Sequence, residues 1–305
     1  MKLQQLQVLI AVVDTGGIRA AARLLNLSQA AVTKSMKSLE DAAATPLLHR
    51  KARGVTLTEA GAKLLARARV IARQVTLAQE DLRQTAGEDC GSVRLGITPL
   101  LTLAGLDQAF KWFGERYKNV EVVLIEGLMA RVLPGLRDGT LDIAVVAADV
   151  SEIHDDEFNC VRMQQLPQCI VVRQGHPVLA DPTAKALTNL EWIFTQPVAL
   201  GAQPRVDAMF ALGGVAPPTR VVQCESLAAM TLLRSSDAVS IFPQPLLGYP
   251  ETRGLVAIEA CPLRPSDIEL LLLTQADVPL TPAAQYFAHC LAQVSGQVVA
   301  KIEPQ

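Results

Sequence analysis

The chain has 305 residues, of which half are apolar and 19% are charged. This composition excludes an intrinsically disordered chain and is sufficient to fill the cores of two or three domains. The net charge of −2 conceals an asymmetry, because residues 1–86 carry 13 Lys and Arg against 6 Asp and Glu, whereas residues 87–305 carry 15 against 24. The first segment is therefore predicted to bind a polyanion.

The first 45 residues predict three short helices. Apolar residues recur at three- and four-residue steps from Leu3 to Val13, which is the stripe of an amphipathic helix, and Gly16 follows its end. A second helix begins at Ile18 and carries a cluster of small alanines that permits close helix packing. Ser28 is a good N-cap, and it predicts a third helix from about Gln29 to Ala43.

A hairpin and a long helix follow. Two β-prone runs, Leu47–Leu48 and Val55–Leu57, flank a basic tip and predict a hairpin or wing. Thr58 then caps a helix that continues to about Ala86 and spans roughly 40 Å. One apolar stripe on so long a helix predicts burial against a second copy of the chain. A glycine-flanked linker, residues 87–91, ends this part.

Beyond the linker, apolar strand runs alternate with helical patterns, which is typical of a parallel sheet with helices on both faces. The first group contains strands Val93–Ile97, Val120–Ile125 and Leu141–Val146, with helices near Ala104–Tyr117 and Leu128–Asp138. The second contains strands Ile170–Val172, Val198–Leu200, Arg220–Gln223 and Val239–Ile241, with helices near Arg205–Leu212 and Leu227–Arg234. A strand at Ile268–Thr274 and a helix at Pro282–Val298 close the chain. Two such groups imply two lobes with a cleft between them.

Targeting signals and metal-binding patterns are not expected. Glutamines interrupt the first residues before an apolar run develops, and no run approaches the ~20 apolar residues of a membrane span, so we expect a cytoplasmic protein. Six scattered cysteines and four histidines lack metal-ligand spacing, so we expect no metal, cofactor or disulfide framework. A redox role for Cys160 and Cys169 stays open, although both are better interpreted as small apolar residues within strands.

One set of residues in the first 61 positions keeps a characteristic spacing without a gap: Gly16, Ala20–Ala22, Leu25, Ser28, Gln29, Ala31, Val32, Thr33, Leu39, Glu40, Pro46–Leu48, Arg50, Arg53, Leu57, Thr58, Ala60 and Gly61. This pattern resembles the DNA-binding head of the LysR-type transcription regulators. Four further segments resemble that family's sensor domain: Glu126–Gly127, Leu136–Asp142, His176–Pro177 and Phe242–Pro243. Within the family, Leu136–Asp142 and Asp277–Pro282 resemble the subgroup that regulates toluenesulfonate degradation.

The resemblance implies an α/β protein with an N-terminal winged helix-turn-helix, a long linker helix and a two-lobed sensor domain like that of periplasmic binding proteins. The implied boundaries are 1–58 for the DNA-binding domain, 59–86 for the linker and dimerisation helix, and 87–305 for the effector-binding domain. Lobe I is expected at 92–163 and 266–305, and lobe II at 164–265. The implied function is regulation of transcription under the control of a small organic effector. The resemblance also implies homodimers that pair into homotetramers and bind promoter DNA, with RNA polymerase as a further partner.

Three departures from the family's pattern fall in the head. Gly17 stands where the family usually has Ser, and Ala30 where it usually has Pro. Ala43–Ala44 replace the usual Leu-Gly. We expect these changes to weaken the second helix's N-cap by a few tenths of a kcal/mol and to loosen the end of the third helix.

The start of the second helix of a helix-turn-helix enters the major groove, where side chains meet base edges. The predicted contacts on the third helix are Ser28, Gln29, Ala30, Thr33, Lys34 and Lys37. On the wing, Arg50, Lys51 and Arg53 are predicted to reach phosphates or the minor groove. The alternative for Lys34 and Lys37 is an ordinary solvated helix face.

In open α/β sheets, ligands bind beyond the carboxyl ends of the strands. The predicted effector-binding residues therefore follow strands: Thr98, Pro99, Leu100, Leu101, Thr102, Gly127, Leu128, Gly201, Ala202, Gln203, Ser226 and Phe242. Helix N-termini at these loops favour a small organic anion. The alternative is that these residues form ordinary turns and caps, with Thr98 and Ser226 as the favoured N-caps. Arg205 is predicted to pair either with the anion or with an acidic side chain.

Two other classes of protein are alternatives to this interpretation. A periplasmic solute-binding protein would share the two-lobed fold, but it would need an export signal and would lack the basic head. An enzyme is disfavoured, because the chain contains no P-loop, G-x-S-x-G, H-E-x-x-H or G-x-G-x-x-G pattern. We therefore predict no catalytic residues.

Overall fold

The structure is a computed structural model, and it describes residues 1–51, 54–153, 156–195 and 203–294. The chain divides into two compact units. The first contains Met1–Gly91 together with Arg137–Leu141, and the second contains Ser92–Leu136 and the chain from Asp142 onward. Within the described ranges, no helix is both long enough and apolar enough to cross a membrane.

The head is a three-helix domain with a hairpin. Its elements are α1 (Leu3–Asp14), α2 (Ile18–Leu24), α3 (Gln29–Ala43), β1 (Leu48–Lys51) and β2 (Gly54–Leu57), and the two strands pair antiparallel. Leu9, Val12, Val32 and Leu39 are fully buried in one core that these elements share. The three predicted helices and the wing are therefore confirmed.

A single residue defines each end of α3, Ser28 at the N-terminus and Ala44 at the C-terminus. The Ser28 hydroxyl accepts a hydrogen bond from the amide of Ala31 at 3.1 Å, as predicted for an N-cap. At the other end, Ala44 adopts the left-handed conformation with φ +50°. This conformation brings Cβ too close to the backbone and is normally taken by glycine.

Ala44→Gly is therefore expected to stabilise the protein by about 0.5–1 kcal/mol, because it relieves the Cβ clash at the C-cap. Ala43→Gly is the matched control, since Ala43 is the last residue of α3 and glycine there costs about 0.5–1 kcal/mol. Urea unfolding of the full-length protein measures both changes. Equal effects of the two substitutions would contradict the assignment of strain to Ala44.

The linker helix α4 (Glu59–Thr85) has 27 residues. The Thr58 hydroxyl accepts from the amide of Gly61 at 2.9 Å, so the predicted cap is confirmed. Leu65 and Ala68 contribute to the core of the head. In the single chain Leu82 is 74% exposed, so apolar surface remains uncovered on this helix.

Lobe I is built on one five-stranded sheet with the order β4-β3-β5-β12-β6. Its strands are β3 (Ser92–Ile97), β4 (Glu121–Glu126), β5 (Ile143–Ala148), β6 (Phe158–Leu166) and β12 (Ile268–Gln275), and its helices are α5 (Pro99–Ala104), α6 (Leu106–Arg116), α7 (Met129–Arg137) and α11 (Pro282–Val294). Phe113 stacks on Phe287 with ring centroids 4.3 Å apart, which packs α6 against α11. Gly105, with φ +156°, separates α5 from α6, and α6 confirms the helix predicted near Ala104–Tyr117.

Lobe II is a second five-stranded sheet with the order β11-β7-β10-β8-β9. Its elements are β7 (Gln168–Arg173), α8 (Ala184–Thr188), β8 (Trp192–Phe194), α9 (Gln203–Leu212), β9 (Val221–Gln223), α10 (Ser226–Ser235), β10 (Val239–Pro243) and β11 (Leu255–Ala257). Trp192 is fully buried and meets the Phe210 ring edge-on at 4.9 Å. The predicted strand Val198–Leu200 lies outside the described residues.

Both sheets are mixed, so the prediction of parallel sheets was wrong. In lobe I, β12 runs antiparallel to β5 and β6, and in lobe II, β7 runs antiparallel to β10 and β11. The reason is topological, because the strands that carry the chain between the lobes, β6, β7 and β12, do not follow the βαβ pattern. The parallel pairs β3–β4, β3–β5, β8–β9 and β8–β10 remain, and they align the strand ends that face the cleft.

Candidate functional site

The exposed face of α3 is the first candidate site. Val32, Met36 and Leu39 turn into the core of the head. The opposite side carries the predicted DNA-contact residues: Ser28, Gln29, Ala30, Lys34 and Lys37 are exposed, and Thr33 is half-buried beside them. Neither lysine has an ion pair among the described residues, and both side chains are exposed on α3.

The wing lies next in the chain. The structure places Arg50 and Lys51 in β1, opposite Val55 and Gly54 of β2. Arg53 lies outside the described residues. The backbone of the hairpin therefore carries two of the three predicted wing cations at its end.

Two arginines on α2 were missed by the sequence analysis. Arg19 and Arg23 are exposed and lie four residues apart, hence on one face of the helix. Neither has an ion pair within the described part of the chain. The first helix of a helix-turn-helix crosses the phosphate backbone, so this i, i+4 pair of cations was the signal available in the sequence.

A cavity lies between the two lobes, and we call it the interlobe cavity. The space open to the centre of a water-sized sphere is about 60 Å³, enough for several water molecules or for a compact ligand. It is lined by Thr98, Pro99, Leu100, Leu128, Ala147 and Ile268 of lobe I and by Thr195, Ser226, Met230, Ile241, Phe242, Pro243 and Leu246 of lobe II.

Six of the predicted effector residues line this cavity: Thr98, Pro99, Leu100, Leu128, Ser226 and Phe242. Leu101 is instead buried in the core of the domain, and Thr102 is exposed on α5. The Gly127 amide donates to the carbonyl of Ile97, so this residue extends the sheet rather than lining the cavity. Gly201 and Ala202 lie outside the described residues, and Gln203 begins α9.

Other lining residues were not predicted. Ala147, Ile241 and Ile268 lie within strands, where no local sequence signal separates a cavity wall from a sheet core. Thr195 follows β8, a short strand that the sequence analysis missed. The rule that ligands meet residues after strand ends would have identified Thr195 had that strand been recognised.

The hydroxyl groups of the cavity wall make no hydrogen bond that the described part of the chain shows. Thr98 is only 3% exposed, yet its hydroxyl makes no hydrogen bond within the described residues and does not cap α5. Ser226 is the first residue of α10, with Glu225 at the cap position. Thr98 therefore occupies the predicted N-cap position of α5 without a capping hydrogen bond, whereas the prediction of Ser226 as an N-cap was wrong. No Lys, Arg, Asp or Glu lines the cavity within the described residues.

The surroundings of Cys169 give no support for a redox switch at that residue. The described residues contain only free cysteines. Burial raises the pKa of the Cys169 thiol to about 11, and its Sγ lies 3.6 Å from the carbonyl of Phe242. A thiol that stays protonated is a poor nucleophile, so Cys169 is not set up for oxidation.

Comparisons with known proteins agree with this division of the chain. Residues 3–62 match the model of the bacterial regulatory helix-turn-helix protein, lysR family, and residues 86–296 match the model of the LysR substrate binding domain. The chain is 28% identical over 303 residues to the HTH-type transcriptional regulator GbpR of Azospirillum brasilense, covering 93% of this chain and 84% of GbpR. It is 27% identical over 264 residues to PcaQ of Agrobacterium fabrum, covering 85% and 83%.

Solved structures share the fold. Full-length CbnR in complex with its target DNA has a TM-score of 0.67 and 21% identity, over 96% of this chain and 100% of CbnR. Full-length OxyR from Pseudomonas aeruginosa has a TM-score of 0.68 and 17% identity, over 100% and 99%. The two family models together span the head and the sensor domain, so this chain belongs to the LysR family of DNA-binding transcriptional regulators, which carry an effector-binding domain and are not enzymes.

Proposed function

We propose that the interlobe cavity binds the effector of this regulator and that the effector is a small organic anion. The observation that carries the proposal is Thr98, which lines the cavity and whose hydroxyl makes no hydrogen bond among the described residues. A hydroxyl that lines the cavity without a protein partner can donate to a charged ligand oxygen, and such a hydrogen bond contributes about 1.5–3 kcal/mol.

Three features support an anion of compact shape. Thr98, Thr195 and Ser226 supply hydroxyl donors to one cavity. The ten-residue helix α10 begins at Ser226, and the first amides of a helix are free to donate to an anion. The rest of the wall is apolar, with Met230, Phe242 and Leu246 among its members, which suits a short hydrocarbon or aromatic body.

A sulfonate is one candidate within this class. It rests on the resemblance of segments 136–142 and 277–282 to regulators of toluenesulfonate degradation. The relatives named above do not include that subgroup, so carboxylates of similar size are equal candidates. Both groups carry oxygens that accept from hydroxyl and amide donors.

A thermal-shift screen on the full-length protein tests the proposal. p-Toluenesulfonate, benzoate and short aliphatic carboxylates are the probes, and a ligand that binds only the folded state raises Tm. For a probe that binds, Thr98→Val is expected to weaken affinity about tenfold, because it removes one donor and preserves the side-chain volume. Ser226→Ala is expected to act in the same direction.

The matched control is Thr102→Val, since Thr102 lies on the same helix and is exposed away from the cavity. Binding of the probe should survive this change. If Thr98→Val and Ser226→Ala both leave affinity unchanged, the ligand binds elsewhere and the proposal fails.

We further propose that three segments of the chain have separate functions. Residues 1–58 contact promoter DNA through α3 and the wing, 59–86 pair two copies, and 87–305 sense the effector in the cytoplasm, where the DNA is. The apolar side chains that stay exposed support assembly of dimers into tetramers: Ile71 and Leu82 on α4, Phe110 and Leu124 on lobe I, and Val221 and Leu227 on lobe II. RNA polymerase is a further partner in this proposal, whether the protein activates or represses transcription.

A further inference from the structure

Arg205 connects the two lobes at a place separate from the interlobe cavity. It lies near the start of α9 in lobe II, and its neighbours Val206 and Met209 pack in the lobe II core. Its guanidinium group, however, reaches residues of lobe I. Nη1 lies 3.4 Å from Oε1 of Glu152, and Nε lies 4.0 Å from Oδ2 of Asp149.

The same guanidinium group holds the segment that returns the chain to lobe I. Nε and Nη2 donate to the Ser266 hydroxyl at 3.0 and 2.8 Å. Nη2 also donates to the backbone carbonyls of Ser266 and Asp267 at 3.2 and 2.7 Å. Ser266 and Asp267 directly precede β12 of lobe I. One side chain of lobe II thus binds both the turn after β5 and the entry to β12.

The ion pairs of Arg205 with Glu152 and Asp149 are more protected from solvent than an ordinary surface salt bridge. The side chain of Arg205 is 24% exposed and that of Glu152 is 13% exposed. Burial raises the pKa of Glu152, and Arg205 opposes this rise. Hydrogen bonds from the hydroxyl and amide of Ser151 lower the pKa of Asp149, which keeps its negative charge. A planar guanidinium with several fixed acceptors loses little entropy for each bond it forms.

We propose that Arg205 is a positioning residue that latches lobe II onto lobe I and thereby sets the width of the cleft. The latch borders a second cavity, of about 80 Å³ for the centre of a water-sized sphere. This second cavity shares Ala147, Ile241 and Ile268 with the interlobe cavity. A change in the contacts of Arg205 therefore also alters the interlobe cavity, because these three residues line both cavities. The latch itself is independent of which ligand binds there.

Hydrogen–deuterium exchange of the full-length protein, read by mass spectrometry, tests the latch without a ligand. Glu152→Gln removes the charge that faces Arg205 and changes nothing in lobe II. We expect the backbone amides of α9, in the other lobe, to exchange about tenfold faster. The reason is that the bond between Arg205 and the charged Glu152 stabilises the closed arrangement of the two lobes. Arg205→Ala should speed exchange reciprocally at residues 149–153 of lobe I. Arg205→Lys keeps the charge and should restore part of the protection.

The matched control is Arg220→Ala, because Arg220 pairs with Glu191 inside lobe II at 3.1 Å. This variant should leave exchange in lobe I unchanged. The latch would be overturned if the α9 amides of Glu152→Gln exchanged at the wild-type rate. It would also be overturned if Arg205→Ala changed exchange only within lobe II. Neither result would bear on effector binding, which the Thr98→Val comparison tests separately.

Discussion

Replacing Lys34 and Lys37 together by alanine is expected to weaken operator binding about a hundredfold or more, without loss of fold. Each contact to a base edge contributes about 1–3 kcal/mol, and each phosphate contact releases counterions. Both side chains are exposed on α3 and neither has an ion pair within the described residues. Their removal therefore breaks no contact that the folded head needs.

The measurement is fluorescence anisotropy of the full-length protein with a duplex selected by the protein from a random library. Titrations at several KCl concentrations give the slope of log Kd against log salt. If both lysines contact phosphate, the slope falls by about two, and if they contact bases, discrimination between sequences falls more than the slope. Lys111→Ala, an exposed lysine of α6 in the sensor domain, is the control and should change neither quantity. Undiminished binding by a folded Lys34/Lys37 double variant would remove α3 from the DNA interface.

Gly61→Ala is expected to destabilise the protein by about 3 kcal/mol. A Cβ at this position would lie 2.0 Å from the carbonyl oxygen of Leu47. That oxygen is itself held, because the amide of Thr58 donates to it at 3.0 Å. Leu47 is 1% exposed in the core of the head, so neither α4 nor the approach to β1 can yield without disturbing packing.

The same substitution elsewhere gives the control. Gly114 lies within α6, and a Cβ there would meet no atom within 4 Å. Gly114→Ala should therefore stabilise by about 0.5–1 kcal/mol, through better helix propensity. Urea unfolding monitored by circular dichroism measures both variants. Equal stability of Gly61→Ala and the parent protein would mean that α4 does not pack on Leu47 as described.

The head was predictable because its determinants are local. Ser28 and Thr58 act as caps within three residues of the amides they accept from. The core stripe of α3 repeats at helical spacing, so the exposed face and its lysines follow from the same pattern. The left-handed conformation of Ala44 is consistent with the departure noted in the sequence, where Ala43–Ala44 replace the family's usual Leu-Gly. An alanine thus stands where the backbone favours a glycine.

The sensor domain was predictable only in part, because its determinants are distant in sequence. β6 alternates weakly and carries several polar residues, and it is a strand because β12 pairs with it across more than a hundred residues. β8 has three residues and no turn signal of its own. The partners of Arg205 could not be chosen from sequence, since Glu152 and Ser266 meet it only after both lobes have folded.

The chain crosses between the sheets twice, once at Pro167 between β6 and β7 and once in the stretch between β11 and β12. Two connections restrain sliding of one lobe past the other, so rotation about the line that joins the crossings is the least restrained movement, and the Arg205 latch opposes it. Binding of a ligand between the lobes then restricts few conformational degrees of freedom. Under the proposed function, a small ligand that makes few contacts would consequently still change the angle between the lobes.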